Sequence, residues 1–369
     1  MIEDIYKFWN ITDAYAVGDT FTGYEDLYDE FDKYNKESYD KDPSGTIDSV
    51  FDLYRSRGII PIDYYTESGL VNAIREFASA KYNTVQGDVI GLGNNQGQKI
   101  NRFVFTNMMT AEPKGRGSNS LRDRFLDDAK LKRAIRICFE FRDGNNLVYP
   151  TAMRRALELV TGENIQNFKP QNARAIVEHL CPVMWGRVYD YSAGYGGRLL
   201  GITSSNMHYQ YIGVDPNTET VERLNYLNSL IPNTGTIVQS VSEEYEPEDI
   251  DCAFSSPPYF NLEKYSDEDT QCMVRYKTLD EWFDGYVEPS IRKIMGGLST
   301  GGIFATNIAD YKHSKEEFKV CERWIQTAEK VGFVYEGMIK MMLNTRPGVG
   351  NDKLAGREKY EGVYVFKKV

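Results

Sequence analysis

Residues 168–369 are predicted to form an α/β fold with a mostly parallel sheet, and residues 1–167 a separate, mainly helical accessory domain. Three observations lead there. From Phe168 onward, short apolar runs alternate with helical segments, the pattern of strand–helix crossovers in a parallel sheet. A glycine-rich stretch, Asp190-Tyr-Ser-Ala-Gly-Tyr-Gly-Gly-Arg198, sits where the first of these strands must turn sharply into a helix. The chain has 369 residues, and single cores stop growing near about 250–300 residues, so two parts are expected.

The first fifty or so residues are acidic and tyrosine-rich, with a turn signal at Asp42-Pro-Ser-Gly45 and a short helix expected over Thr46 to Tyr54. Leu70, Val71, Ile74, Phe77 and Ala78 recur at a helical period within Leu70 to Ala80. Arg102 to Thr106 reads as a short strand or buried loop. Glu112 to Ser120 has the composition of an exposed loop, and helices are expected over Leu121 to Phe139 and Thr151 to Thr161.

In the second part, Pro170 to Leu180 reads as a helix, Arg187 to Ser192 as the first strand and Leu199 to Ser204 as the helix after the glycines. Strands follow at Tyr209 to Asp215, Gly235 to Ser240, Asp249 to Ser255 and Gly302 to Asn307, with helices at Thr218 to Ser229, Leu279 to Met295 and Glu316 to Val331. Phe333 to Leu343 and Tyr360 to Lys367 close the domain as an antiparallel strand pair.

Gly194, Gly196 and Gly197 permit unusual backbone angles and let a ligand approach the main chain, while Asp215 ends the next strand, where a carboxylate can accept hydrogen bonds from both hydroxyls of a ribose. A dinucleotide-binding loop is the competing reading. It is weakened because Leu199 stands where the last glycine of Gly-x-Gly-x-x-Gly belongs. A structural turn with an ordinary helix cap is the plainer alternative.

Ser256-Pro257-Pro258-Tyr259 follows the apolar strand and so falls at the carboxyl edge of the sheet, beside the glycine loop. Two prolines hold the backbone extended, which can aim the Ser256 side chain and the Pro257 carbonyl at an amine. Tyr259 offers a flat face for a base, and Phe260 can line the pocket. A strand-ending turn whose tyrosine packs in the core would look the same in sequence.

The glycine loop resembles the Phe-x-Gly-x-Gly motif of methyltransferases, with Ser192 in the aromatic position, and the tetrapeptide resembles the Asp/Asn/Ser-Pro-Pro-Tyr motif of the S-adenosylmethionine-dependent DNA amino-methyltransferases. The resemblance covers Phe168 to Val369 and implies a class I methyltransferase, Rossmann-like sheet. It implies S-adenosyl-L-methionine as cofactor, held by Phe168, Asp190, Ser192, Gly194, Gly196, Gly197 and Asp215, with Ser256, Pro257, Pro258 and Tyr259 catalytic. Phe168 can equally staple the helix at Pro170 to the core, and Arg198 either nears the cofactor carboxylate or lies on the helix surface. Val238-Gln-Ser-Val241 lacks the acidic residue often found there to contact adenine.

The implied reaction is methyl transfer to the exocyclic amine of cytosine (N4) or adenine (N6). Ser256 leans towards cytosine, while the order of the motifs, cofactor before base, reduces that preference. Cytosine stands slightly ahead of adenine. A carbon-5 cytosine enzyme is disfavoured, because no suitably placed Pro-Cys nucleophile is present.

Net charge of −11 disfavours a general nucleic-acid coating protein, but basic residues concentrate between Lys114 and Arg133. Arg116, Arg122 and Arg124 are the expected phosphate or base contacts, with Phe260 as the other substrate residue. A helical domain with a solvated charged surface is the alternative. Double-stranded DNA is the expected partner, and a restriction or phage-defence component is the partner that such an enzyme would have. RNA base methylation and an inactive binding module on the same fold are the other functions to separate.

Five widely spaced cysteines and three histidines form no metal-ligand pattern, so no metal is expected, and their odd number suits a reducing cytosol. No run approaches the roughly 20 apolar residues of a membrane span, and Met1 to Trp9 is not a signal peptide, so a cytoplasmic location is expected.

Overall fold

A computed structural model describes residues 29–62, 65, 67–92, 95–113, 118–141, 144–162, 164–313, 315–343 and 359–369. Arg116 and the stretch 344–358 fall outside the described residues. The chain divides into two compact units, 1–68 with 102–166 and 263–265, and 69–101 with 167–262 and 266–369. The boundary expected at 167/168 is therefore corrected in two respects, since residues 69–101 fold with the sheet and residues 263–265 with the first unit.

The reason is a hairpin absent from the sequence reading. Strand β1 (Val85–Gln86) pairs antiparallel with β2 (Val89–Ile90) across Gly87, whose φ of 61° suits glycine, and β2 adds in parallel to the sheet edge. The remaining strands are β3 (Arg187–Asp190), β4 (Gln210–Asp215), β5 (Thr236–Gln239), β6 (Ile250–Ser255), β7 (Leu298–Ile308), β8 (Tyr311–His313), β9 (Glu316–Phe318), β10 (Phe333–Met342) and β11 (Tyr360–Lys368). The large sheet runs β1-β2-β10-β11-β7-β6-β3-β4-β5, and β8 pairs only with β9.

Strands β3 to β7 pair in parallel, while β11 lies antiparallel between β7 and β10. This is the class I methyltransferase, Rossmann-like sheet, with a C-terminal antiparallel pair and a hairpin added at one edge. Its strand order reverses between β3 and β6, the place where open α/β sheets bind ligands. Because β11 runs backwards, its first residues reach the same edge as the last residues of β3, β4, β6 and β7.

The sheet strands are apolar on both faces because helices cover them: Val188, Tyr189, Val214, Cys252, Ala253 and Phe304 are all fully buried. Trp282, Ile291, Ile294 and Trp324 from the flanking helices pack into the same core. The helix expected over Leu279 to Met295 runs as Leu279–Trp282, a π-helical segment Phe283–Val287 and Glu288–Gly297. The helix expected from Glu316 starts only at Val320, because Glu316–Phe318 is taken into the β8–β9 hairpin.

Among its described residues the first unit is helical. Residues 102–106, expected as strand or loop, instead continue a helix Gln98–Val104, followed by a 3₁₀ turn Thr106–Met109. The single helix expected over Leu121 to Phe139 is two, Leu121–Leu126 and Asp128–Glu140. Asp127 closes the first, and its side chain caps the second by accepting from the Lys130 N–H.

Candidate functional site

Four loops meet at the carboxyl edge of the sheet, and their chemistry differs sharply from one to the next. The glycine loop follows β3. Gly194 and Gly196 have φ of 54° and 69°, and a Cβ on Gly197 would lie 2.0 Å from the Phe168 carbonyl oxygen, so the helix Gly197–Thr203 can begin there only with glycine. The Tyr195 carbonyl between the glycines accepts from Asn101 Nδ2 at 2.9 Å and Asn167 Nδ2 at 3.0 Å, which fixes the loop from outside.

Asp215, at the end of β4, faces this loop. Its Oδ2 accepts from the Gly194 N–H at 2.8 Å and its Oδ1 from the Asn217 N–H at 3.0 Å. Each oxygen keeps a further lone pair, so the carboxylate is aimed yet not saturated. Burial raises its pKa to about 6, against the lowering effect of those two backbone N–H groups. An oriented, desolvated carboxylate beside a glycine turn fits a ribose with two adjacent hydroxyls, and S-adenosylmethionine, the cofactor of this fold, carries one.

Asp190 is a correction. It is fully buried, and its oxygens accept from Arg198 Nε at 2.9 Å, the Tyr211 hydroxyl at 2.8 Å, the Ser255 hydroxyl at 2.7 Å and the Ser192 N–H at 3.3 Å. A carboxylate offers about four acceptor directions, and here protein donors take them all. Asp190 therefore holds the loop together rather than offering itself to a ligand. Arg198 is neither on the helix surface nor free for a cofactor carboxylate: it is buried against Asp190, donates to the Ser192 carbonyl, and lies over the Phe168 ring. Phe168 also sets its ring edge against Phe254 at 5.5 Å, so the stapling role is visible. The Ser192 hydroxyl lies 3.0 Å from that of Tyr286, in the π-helical segment, a kind of helical irregularity often found at functional sites.

The Ser255–Asp190 hydrogen bond ties the end of β6 to the glycine loop, one residue before the tetrapeptide. Ser256 is half-buried and donates to Asn307 Oδ1 at 3.4 Å, and Pro257 is buried. The Tyr259 hydroxyl accepts from the Ala309 N–H at 3.0 Å, and its ring meets Tyr311 edge-on at 4.9 Å. Tyr311 stacks on Phe318 at 4.9 Å, Phe260 packs against Phe318 at 5.7 Å, and the Tyr311 hydroxyl donates to Asn261 Oδ1 at 2.8 Å. Four partly or largely buried aromatic rings thus line this side of the edge, suited to a flat substrate.

Tyr311, Phe318, Asn261 and Asn307 were not among the residues expected at the site. The signal existed: Asp310 and Tyr311 follow the apolar run Gly302 to Asn307, where a post-strand loop belongs. What sequence does not reveal is the β8–β9 hairpin that folds these rings back. On the far side, Glu268 accepts from the Thr218 N–H at 3.2 Å, capping the helix that follows Asp215.

The expected nucleic-acid contacts fare differently. Arg124 is 1% exposed and donates to the carbonyls of Asn119 at 2.9 Å and Leu157 at 3.3 Å, so it cannot meet a phosphate in this fold. Arg122 is half-buried, and Arg116 lies outside the described residues. Lys130 and Lys132 pair with Asp127 at 3.0 Å and Asp48 at 2.7 Å. Arg154 is likewise buried and pairs with Glu158 at 3.4 Å.

Among the described residues no cluster of His, Cys, Asp or Glu has the form of a metal site, and no helix is long and apolar enough to cross a membrane. No protein-family model matches the chain, and no curated protein is similar to it in sequence. Solved structures are similar at low identity. TrmN from Thermus thermophilus is 16% identical over 54% of this chain and 49% of its own, with a TM-score of 0.36. The chain thus spans about half the length of that protein. A TehB-like S-adenosylmethionine-dependent methyltransferase from Corynebacterium glutamicum is 16% identical over 59% of this chain and 96% of its own, with a TM-score of 0.36. Fibrillarin from Aeropyrum pernix, solved with bound S-adenosyl-L-methionine, is 10% identical over 53% and 73%, with a TM-score of 0.33. The strand order and directions seen in the chain itself carry the fold assignment: this is the class I methyltransferase, Rossmann-like fold.

Proposed function

We propose that the protein transfers a methyl group from S-adenosylmethionine to the exocyclic amine of a nucleobase. The observation that carries this is the Ser255–Asp190 hydrogen bond of 2.7 Å, which fastens Ser256-Pro257-Pro258-Tyr259 beside the glycine loop and Asp215. The cofactor supplies an activated methyl: the amine nitrogen forms the new bond as the bond to sulfur breaks, its electron pair stays on sulfur, and the amine proton leaves to water.

The chain's own task is alignment. Asp215 and the glycine loop hold the ribose end, with Gly194, Gly196 and Gly197 allowing close approach. Ser256 and the Pro257 carbonyl accept the hydrogen bonds of the amine, which turns its lone pair towards the methyl. Tyr259, pinned through its hydroxyl to Ala309, presents its ring to the base, with Phe260 and Tyr311 behind it.

DNA cytosine N4 or adenine N6 is one target class and an RNA base the other. The burial of Arg124 removes one expected contact to a nucleic-acid backbone of either kind, so the choice turns on the base. A base in an unpaired RNA loop needs no extraction from a helix, which costs a few kcal/mol. Fluorescence anisotropy with a labelled RNA stem-loop, single-stranded DNA and duplex DNA, each with cofactor present, tests the choice. Tightest binding to the stem-loop is expected; preference for the duplex would return the assignment to DNA, with a restriction or defence setting.

A further inference from the structure

Serine in the first position of the base-handling tetrapeptide poses a chemical problem that aspartate or asparagine does not. A carboxylate or amide oxygen can only accept, whereas a hydroxyl can present either its lone pairs or its hydrogen to an approaching amine. For Ser256 to accept from an N–H, something must take up its own hydrogen.

Asn307, at the end of β7 and 6% exposed, lies against it. Its Nδ2 donates to the Gly362 carbonyl at 3.0 Å. A carbonyl oxygen cannot donate, so this contact fixes which end of the amide is nitrogen. The oxygen Oδ1 then faces Ser256, 3.4 Å from its hydroxyl, and can only accept. Strand pairing brings in a second group. Gly362 lies opposite Ile308 and Val363 opposite Asn307, so Glu361, on the same face of β11 as Val363, is the diagonal neighbour of Asn307. The Asn307 amide is near enough to the Glu361 carboxyl to draw its pKa down against the effect of burial.

We propose that Asn307, anchored by the Gly362 carbonyl, is the positioning residue that takes up the Ser256 hydroxyl hydrogen, so that the serine oxygen meets the substrate amine as an acceptor. The polarity runs in one direction: the Gly362 carbonyl accepts from Asn307, Asn307 accepts from Ser256, and Ser256 accepts from the amine. The antiparallel direction of β11 makes this chain possible, since it delivers Gly362 to the edge where β6 and β7 end. Partial burial pushes the Glu361 carboxyl pKa up while the neighbouring Asn307 amide draws it down, so Glu361 is a secondary support beside that amide.

This inference rests on the amine-methylation reading, and a double-mutant cycle tests it. Asn307→Ala is made with Ser256 in place and in a Ser256→Asn background, where the amide oxygen needs no hydrogen removed. With Ser256, kcat is expected to fall roughly 10–100-fold, the cost of a misdirected hydrogen bond, with cofactor affinity unchanged. In the Ser256→Asn background the same substitution is expected to cost less than about threefold. Glu361→Leu, at a half-buried position, gives a smaller loss with the same dependence on residue 256, and reads the same cycle should Asn307→Ala not fold. Equal losses in both backgrounds would make Asn307 merely structural and overturn the inference. A wild-type chain that binds S-adenosylmethionine but methylates no base amine in RNA or DNA would overturn the underlying reading instead.

Discussion

The two halves of the site are built on opposite plans. Around the glycine loop the polar groups that set its shape are bonded inside the protein, while Asp215 keeps acceptor capacity for a ligand: Asp190 has four donors, and Asn101 and Asn167 share the Tyr195 carbonyl. Around the tetrapeptide the groups are aromatic and sparsely bonded, and Ser256 has one long contact of 3.4 Å. A cofactor that is the same in every turnover rewards a rigid, fully bonded cradle. A base that must enter and leave is better met by flat rings and acceptors completed by the substrate itself.

The contrast can be broken most violently on the cofactor side. Asp190→Ala leaves Arg198 buried without its partner, and loss of one member of such a pair costs about 3–5 kcal/mol. Urea denaturation should show a marked fall in the midpoint, with cofactor binding lost alongside. Gly197→Ala comes next: its Cβ would sit 2.0 Å from a backbone carbonyl, and forcing the helix away from Phe168 should cost about 1–3 kcal/mol. Calorimetric titration should find weakened S-adenosylmethionine binding in protein that still folds.

On the base side, Tyr259→Ala should cost about 1–3 kcal/mol of stability through the lost Ala309 bond and ring packing, yet leave cofactor affinity near wild type while kcat falls, if the ring serves the substrate. Comparable loss of stability and cofactor binding would instead assign it to the core. Tyr259→Phe removes only the bond from Ala309, worth about 1 kcal/mol, and should retain most turnover.

A finer test uses pH. Asp215 has a pKa of about 6 in the folded protein and an ordinary value of 3.8. Folded protein therefore holds the proton to higher pH than unfolded chain does. The stabilising contribution is complete below about pH 4 and is lost as pH rises through 6. Cofactor affinity should move the opposite way, because ribose hydroxyls donate best to the ionised carboxylate: it should weaken as pH falls below 6, by up to about tenfold per unit. Asp215→Asn should flatten that dependence.

Sequence legibility followed the same division. Gly194, Gly196, Gly197 and Asp215 are readable because their backbone geometry has few substitutes, and the strands from β3 to β7 announce themselves as apolar runs. Asp190 was read as a ligand because nothing in sequence counts its internal donors: Arg198 and Tyr211 are visible as residues, not as partners. Arg124 misled for a related reason, since a charged residue in a basic stretch looks solvated until its carbonyl partners are seen. The β1–β2 hairpin was hidden by its two-residue strands, too short for alternation to register. Asn307 and Glu361 come together only through the antiparallel register of β11, a pairing that lies beyond any local pattern.

The most direct test of the central claim is incubation of the full chain with methyl-labelled S-adenosylmethionine and separate RNA and DNA pools, followed by digestion to nucleosides and mass spectrometry. The expected result is label on an exocyclic amine, as N4-methylcytosine or N6-methyladenine, with wild-type protein, and a strong reduction with Tyr259→Ala. Label confined to ring carbons, ribose hydroxyls or protein, with both pools' base amines unmodified, would contradict the account.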